Sequence, residues 1–234
     1  EVDSFIYYNS SQVANVNDLK SKIITSLTSY AKSSDLNRFG GRFKYSKVLN
    51  VIDNIDKSIT SNITRVKIRR NLNALINQFA QYELCFGNRF NVKPEGLNIK
   101  STGFRIQGQS DTVFITDTPN ADKLTGVISI VKKDETTGTN IVVVKSAGTV
   151  DYVHGEVNLT TINIVSTDKP NNIVEVQAFP DSNDVIGLQD LYLEFNIPNS
   201  TINMVKDTIT SGEQISGVGY KVTSSYANGD LTRT

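Results

Sequence analysis

The sequence has very few of the residues on which metal and thiol chemistry usually depends. Its 234 residues include one cysteine, one histidine, one methionine and no tryptophan. A single cysteine, Cys85, excludes an intramolecular disulfide, and with His154 as the one histidine the standard zinc sites are excluded as well. Packing must therefore stabilise the fold. We expect Cys85, between Leu84 and Phe86, to be a small buried side chain rather than a reactive thiol.

Net charge and long apolar runs are also missing. The 24 basic and 24 acidic side chains cancel at neutral pH, so no overall charge draws the chain to nucleic acid or to a membrane. No apolar stretch approaches the ~20 residues that span a bilayer. The acidic start, Glu1-Val2-Asp3-Ser4, is not that of a secretory signal. Because Met204 is the one methionine, we expect the chain to be part of a longer protein.

The first third of the sequence has the spacing of helices. Asn17 or Asp18 can cap a first helix that ends near Lys32, and Ser46 can cap a second helix after a loop at Gly40-Gly41. The apolar face of the first helix is formed by Leu19, Ile23, Leu27, Tyr30 and Ala31. That of the second is formed by Val48, Leu49, Ile52 and Ile55.

From residue 64 the pattern changes to alternation of apolar and polar residues, which is typical of strands. The predicted strands cover residues 64–68, 79–86, 104–106, 112–116, 127–131, 141–144, 150–153, 156–159, 162–165, 173–179 and 191–197. Helices followed by many short strands predict an α+β chain with a mainly antiparallel, sandwich-like sheet. We expect a helical region at 1–58, a β-rich domain at 59–197 and a polar, loosely held tail at 198–234.

Several stretches look like chemical sites but lack a necessary part. The run Gly103–Ser110 has glutamine where a phosphate-binding loop has lysine, and no helical pattern follows it. Asp181, Asp184 and Asp190 lack the spacing and the glycine of a calcium loop, so capping of turns is expected of them. His154 precedes Gly155 between two strand patterns and predicts a hairpin turn rather than a catalytic base.

Basic residues are concentrated between residues 32 and 70. The set is Lys32, Arg38, Arg42, Lys44, Lys47, Lys57, Arg65, Lys67, Arg69 and Arg70. Arg65, Lys67 and Arg69 alternate along one predicted strand, and we predict that this face docks an acidic partner protein. The alternative is a solvated strand face without a partner. Nucleic acid is a weaker option, because aromatic residues are sparse there.

Five stretches together resemble a known protein family. They are Leu36–Leu49, Ile52–Asp56, Ile59–Val66, Gly148–Val157 and Pro180–Ile186. They are similar to a baseplate wedge protein of contractile-tailed phages of the T-even type, the wedge member related to J-like baseplate proteins. The resemblance extends over roughly residues 15 to 195 and corresponds to the C-terminal part of a longer protein.

The resemblance implies a structural role without catalysis, cofactor or small-molecule substrate. Proteins of this family pair with one another within and between wedges, bind other wedge proteins and close a ring around the hub, in a baseplate that rearranges when the sheath contracts. The expected location is the virion tail, after assembly in the host cytoplasm. We predict that Leu19, Ile23, Leu27 and Tyr30 contribute to a two-fold contact; the alternative is that they pack within their own chain.

Two other functions compete with the structural one. A carbohydrate- or receptor-binding β module of a tail or surface protein would need exposed aromatic side chains beside a groove, and most aromatic residues here lie within apolar runs. A hydrolase would need two carboxylates held across a cleft, and no pair is favoured by the sequence. The structural role is therefore the prediction.

Overall fold

The computed structural model describes residues 1–36, 38–188, 192–209, 226–227 and 230–231. The helices among them are α1 (Val16–Ala31) and α2 (Tyr45–Asp53). The strands are β1 (Val2–Tyr8), β2 (Arg42–Phe43), β3 (Ile59–Val66), β4 (Ile68–Asn73), β5 (Phe79–Cys85), β6 (Lys100–Ser101), β7 (Phe104–Ile106), β8 (Val113–Pro119), β9 (Thr125–Lys133), β10 (Asn140–Asp151), β11 (Glu156–Thr167), β12 (Ile173–Ala178), β13 (Val185–Ile186), β14 (Thr201–Lys206), β15 (Tyr226–Ala227) and β16 (Asp230–Leu231).

A three-stranded sheet forms the N-terminal part of the fold, in the order β14-β1-β3. Its central strand β1 is antiparallel to β3 and parallel to β14, which comes from the far end of the chain. Alternate residues of β1 are buried on one face, and among them the Ser4 hydroxyl lies 2.9 Å from the Thr64 hydroxyl of β3. This hydrogen bond satisfies two polar groups that would otherwise be costly to bury.

Both helices cover that buried face of the N-terminal sheet. The Asn15 side chain accepts a hydrogen bond from the Asn17 backbone N–H and begins α1, which packs on α2 and β14. Lys44, the N-cap residue of α2, makes no side-chain cap, and Asp184 accepts from the Tyr45 N–H at 2.8 Å instead. The buried helix residues are Leu19, Ile23, Leu27, Val48 and Ile52.

Five antiparallel strands in the middle of the chain close into a barrel. The pairings run β7-β8-β9-β10-β11, and β11 pairs with β7 as well as with β10, so the ring is complete. Strand β5 adds to β11 outside the ring. A Cβ at Gly148 would lie 2.0 Å from the Asn158 backbone oxygen, so β10 and β11 approach at this point only because residue 148 has no side chain.

Smaller sheets connect the N-terminal part to the barrel. Strands β4, β12 and β6 form one three-stranded sheet, and β2 pairs with β13. The Asn88 side chain both donates to the Ile186 backbone oxygen at 2.8 Å and accepts from its N–H at 2.9 Å. It thereby joins the end of β5 to β13, as a backbone ladder would.

The predicted α+β class with a helical region at 1–58 and a sandwich-like sheet is wrong, because the described chain is mostly β and contains a closed barrel. Residues 1–58 begin with strand β1. Its exposed positions include Phe5, so apolar residues occur on both faces and the alternation that identifies a strand is weak. The barrel closes because β11 pairs with β7 as well as with β10, and no local sequence pattern predicts the second pairing.

The C-terminal predictions divide between described and undescribed residues. Residues 192–197, which were predicted to be part of a strand, form only a single bridge from Tyr192 to Phe39 within the described chain, and Phe195 and Ile197 are buried. Leu191 of the predicted strand lies outside the described residues. In the predicted loose tail, residues 201–206 form β14, and 210–225 lie outside the described residues. The boundaries at 58 and 197 stay predictions.

Candidate interaction surfaces

The predicted helical contact residues lie inside this chain. Leu19, Ile23 and Leu27 are almost completely buried against the N-terminal sheet and α2. Tyr30 is partly buried, and its ring packs edge-on to Phe195 at 6.5 Å between centroids. Burial raises the pKa of the Tyr30 hydroxyl. A role of these four side chains in binding a second copy stays a prediction, and their present contacts are intramolecular.

The predicted basic face is divided between internal ion pairs and solvent. The Lys67 ammonium lies 3.0 Å from Asp3, and the Arg69 guanidinium contacts Glu1 at 3.1 Å and Glu175 at 3.0 Å. Arg65 is exposed and makes no ion pair with the described residues. Of the three predicted docking residues, Arg65 alone therefore presents a charge free of carboxylate partners within the described chain.

An apolar sheet face was missed by the sequence analysis. Phe5 of β1 and Ile63 of β3 are directly opposite each other in register, on the face of the N-terminal sheet that the helices do not cover. Their exposed fractions are 43% and 54%. Tyr7 and Val205 are paired in register on the same face and are half-buried. Phe5 and Tyr7, at alternate positions of β1, were the available signal.

The pKa values of His154, Asp151 and Cys85 are shifted by burial or by contacts with side chains of the same chain. The His154 Nδ1 lies 2.8 Å from the Asp151 carboxylate in the β10–β11 turn, and this hydrogen bond raises the pKa of His154 and lowers that of Asp151. The predicted turn at His154 is confirmed. Cys85 is half-buried, and burial, followed by its contact with Glu83, raises the pKa of its thiol. A raised pKa leaves little thiolate at neutral pH, which is the opposite of a reactive cysteine.

The stretches that look like metal or phosphate sites in the sequence form no such site among the described residues. Within the described ranges there is no cluster of three or more His, Cys, Asp or Glu side chains able to hold a metal ion. Asp184 caps α2 and Asp181 lies 3.5 Å from Arg89, whereas Asp190 falls outside the described residues. After Gly103–Ser110 the chain enters strand β8 and not a helix.

Comparison with known families identifies the N-terminal part. Residues 1–71, which contain β1, both helices and the β3 partner strand, match the family of the baseplate structural protein gp6, C-terminal domain III. Residues 1–71 are similar to this baseplate domain, and we call them the gp6-type domain. The predicted resemblance to a phage baseplate wedge protein is thus confirmed for this segment, and its predicted extension to residue 195 stays a prediction. No curated protein matches the chain.

The family matched by residues 1–71 is that of a structural protein of the baseplate. No helix among the described residues is long and apolar enough to span a membrane. The exposed pair Phe5 and Ile63 belongs to the gp6-type domain, whereas its neighbour Val205 comes from β14, far outside the matched segment.

Proposed function

We propose that this chain is a non-enzymatic building block of the wedge in a contractile-tail baseplate, and that it pairs with a second copy of itself within and between wedges around the hub. The paired copies stay linked, with altered contacts, when the sheath contracts. The match of residues 1–71 to a baseplate structural domain supports the structural role. The uncovered face of the N-terminal sheet supports the self-pairing.

The sheet face has the composition expected of a two-fold contact. A sheet buries one face against another layer, and here the helices cover only one side. Phe5 and Ile63 present adjacent apolar surface on the other side, inside the gp6-type domain. A two-fold contact places the same patch on both copies, so one apolar patch on each copy is enough. A stable contact of this kind buries about 1,200–2,000 Å² in total.

The mass of the chain in solution tests the proposed self-pairing. We expect light scattering over a concentration series to detect a dimer of the unaltered chain, and a monomer when Phe5→Asp is combined with Ile63→Asp, because carboxylates on both copies would then face each other. The matched control is Leu75→Asp with Phe79→Asp, two exposed apolar residues beside the barrel. A monomer of the unaltered chain at every concentration, or equal loss of the dimer in both double variants, would contradict the proposed contact.

A further inference from the structure

An exposed aromatic pair joins the loop between α1 and α2 to the segment between β13 and β14. Phe39 and Tyr192 form an antiparallel bridge, and their ring centroids are 4.2 Å apart. Their exposed fractions are 59% and 57%. Burial of aromatic surface is favourable, and tyrosine and arginine are enriched among the residues that dominate protein–protein binding energies. An aromatic pair held together and left more than half exposed therefore marks a contact surface.

Three cations lie within five residues of Phe39 in the chain. Arg38, Arg42 and Lys44 are exposed and make no ion pair with any described residue. Asp35, which lies in the field of Arg38 and Lys44, is already hydrogen-bonded to Lys47. We call Arg38, Phe39, Arg42, Lys44 and Tyr192 the basic aromatic surface. It shares no residue with the sheet face of Phe5 and Ile63 or with the predicted basic strand, although Lys67 and Arg69 of that strand line a cleft that Tyr192 also lines.

Two clefts open on either side of Tyr192. One has a volume of about 370 Å³ and is lined by apolar residues, including Phe43, Phe86 and Leu188, and by the charged residues Glu1, Lys67, Arg69 and Arg70. The other has a volume of about 710 Å³, with walls that include Ile24, Leu193, Ile197 and Pro198, and with Lys20 and Lys32 along α1. Glu194 is the carboxylate that lines both clefts. Each cleft combines apolar walls with neighbouring positive charge, which suits an apolar side chain flanked by carboxylates.

We propose that the basic aromatic surface binds an acidic segment of a partner protein, with its carboxylates at Arg38, Arg42 and Lys44 and an apolar side chain in a cleft beside Tyr192. The chemistry favours a partner other than a second copy. Several aspartates of the described chain that a second copy would present are already engaged as turn caps, in ion pairs or as the α2 cap: Asp111, Asp122, Asp134, Asp151, Asp181 and Asp184. This inference does not depend on the self-pairing proposed above.

Selection from a displayed library of random peptides tests the proposal without a known partner. On the unaltered chain we expect enrichment of peptides with Asp or Glu on both sides of an apolar residue. Binding of the enriched peptides should fall about tenfold or more when Arg38→Glu is combined with Arg42→Glu, since two attractive charges become repulsive. It should also fall with rising salt, because exposed charges are screened beyond a Debye length of about 8 Å.

Lys133→Glu combined with Lys145→Glu is the matched control, with the same charge change at two exposed barrel positions. It should leave binding unchanged, and Tyr192→Ala should weaken binding at constant charge. Circular dichroism checks that all variants keep their fold. Enrichment of peptides without carboxylates, equal loss in both double variants, or binding on a glycan array that Tyr192→Ala abolishes would each overturn the proposal, the last in favour of a carbohydrate ligand.

Discussion

A buried carboxylate and a buried phenol link β8 to the residue that follows β10 in the barrel. The Asp117 carboxylate accepts hydrogen bonds from the Tyr152 hydroxyl at 2.7 Å and from the Ile99 backbone N–H at 2.6 Å, and both side chains are 1% exposed. Burial and then the hydrogen bond to Asp117 raise the pKa of Tyr152, so the phenol stays a neutral donor over the working range of pH. The pair joins β8 to the end of β10 and fastens the segment before β6.

Removal of the phenol hydroxyl should leave that carboxylate partly unsatisfied. We expect Tyr152→Phe to lower the free energy of unfolding by about 1–3 kcal/mol, the usual cost of an orphaned buried polar group. Urea denaturation measures it. The control is Tyr192→Phe at the exposed tyrosine, where a change within about 0.5 kcal/mol is expected. Equal effects at the two tyrosines would show that the Asp117 bond contributes nothing to stability.

Single residues were the least predictable part of the sequence. Tyr152 lies within a stretch that carries the family resemblance, yet its partner Asp117 has no local pattern, because the contact joins strands far apart in the chain. The turn at His154 was predictable, since Gly155 has a left-handed φ of 70° that a glycine adopts without strain. Lys67 and Arg69 were predicted as surface charges, and their carboxylate partners Glu1, Asp3 and Glu175 could be found only by folding.

Helices and short strands were predictable where the local sequence contains a helix end or an alternation of apolar and polar residues. The first helix was expected to end near Lys32, and Lys32 is the C-cap residue of α1. Strand β7 covers the predicted residues 104–106. Strands β1 and β14 were missed because each has apolar residues on both faces. Residues 192–197 were assigned to a strand, although beyond the bridge at Tyr192 they pair with no strand of the described chain. Alternation reports which side chains point inward, and pairing decides whether a strand exists.

Helix α2 depends on a cap from a distant loop. Asp184→Ala should remove the acceptor of the Tyr45 N–H and lower the free energy of unfolding by about 1 kcal/mol, as loss of an N-terminal cap does. Asp181→Ala, which removes an exposed ion pair with Arg89 three residues earlier in the same loop, should change stability by less than about 0.5 kcal/mol. Thermal unfolding followed by circular dichroism compares the two. If both variants unfold at the same temperature, the Asp184 cap makes no measurable contribution to stability.

At the scale of the whole molecule, the gp6-type domain is completed by a strand that lies outside it. Strand β14 pairs in parallel with β1 and packs on α1, although the matched segment ends at residue 71. The barrel and the β4-β12-β6 sheet lie between β3 and β14 along the chain. The stability of the N-terminal part therefore depends on residues that no comparison assigns to it.

Ile202 is the buried residue of β14 that tests this dependence. We expect Ile202→Ala to lower the free energy of unfolding by about 2–5 kcal/mol, the usual range for a buried isoleucine, and to speed hydrogen exchange in α1 and β1. Ile209→Ala, at an exposed isoleucine a few residues later, is the control. Unchanged exchange in α1 and β1 despite lower stability would mean that β14 does not support the gp6-type domain.

The position of β14 in the chain also has a consequence during synthesis. Ribosomes add about 5–20 residues per second, so β3 leaves the ribosome about 7–27 s before β14 follows it, and β1 leaves earlier still. Throughout that interval the second edge of β1 has no partner, and an open strand edge is a template for pairing with other chains. Nascent chains on one polysome, held close together, would be the first candidates to occupy it.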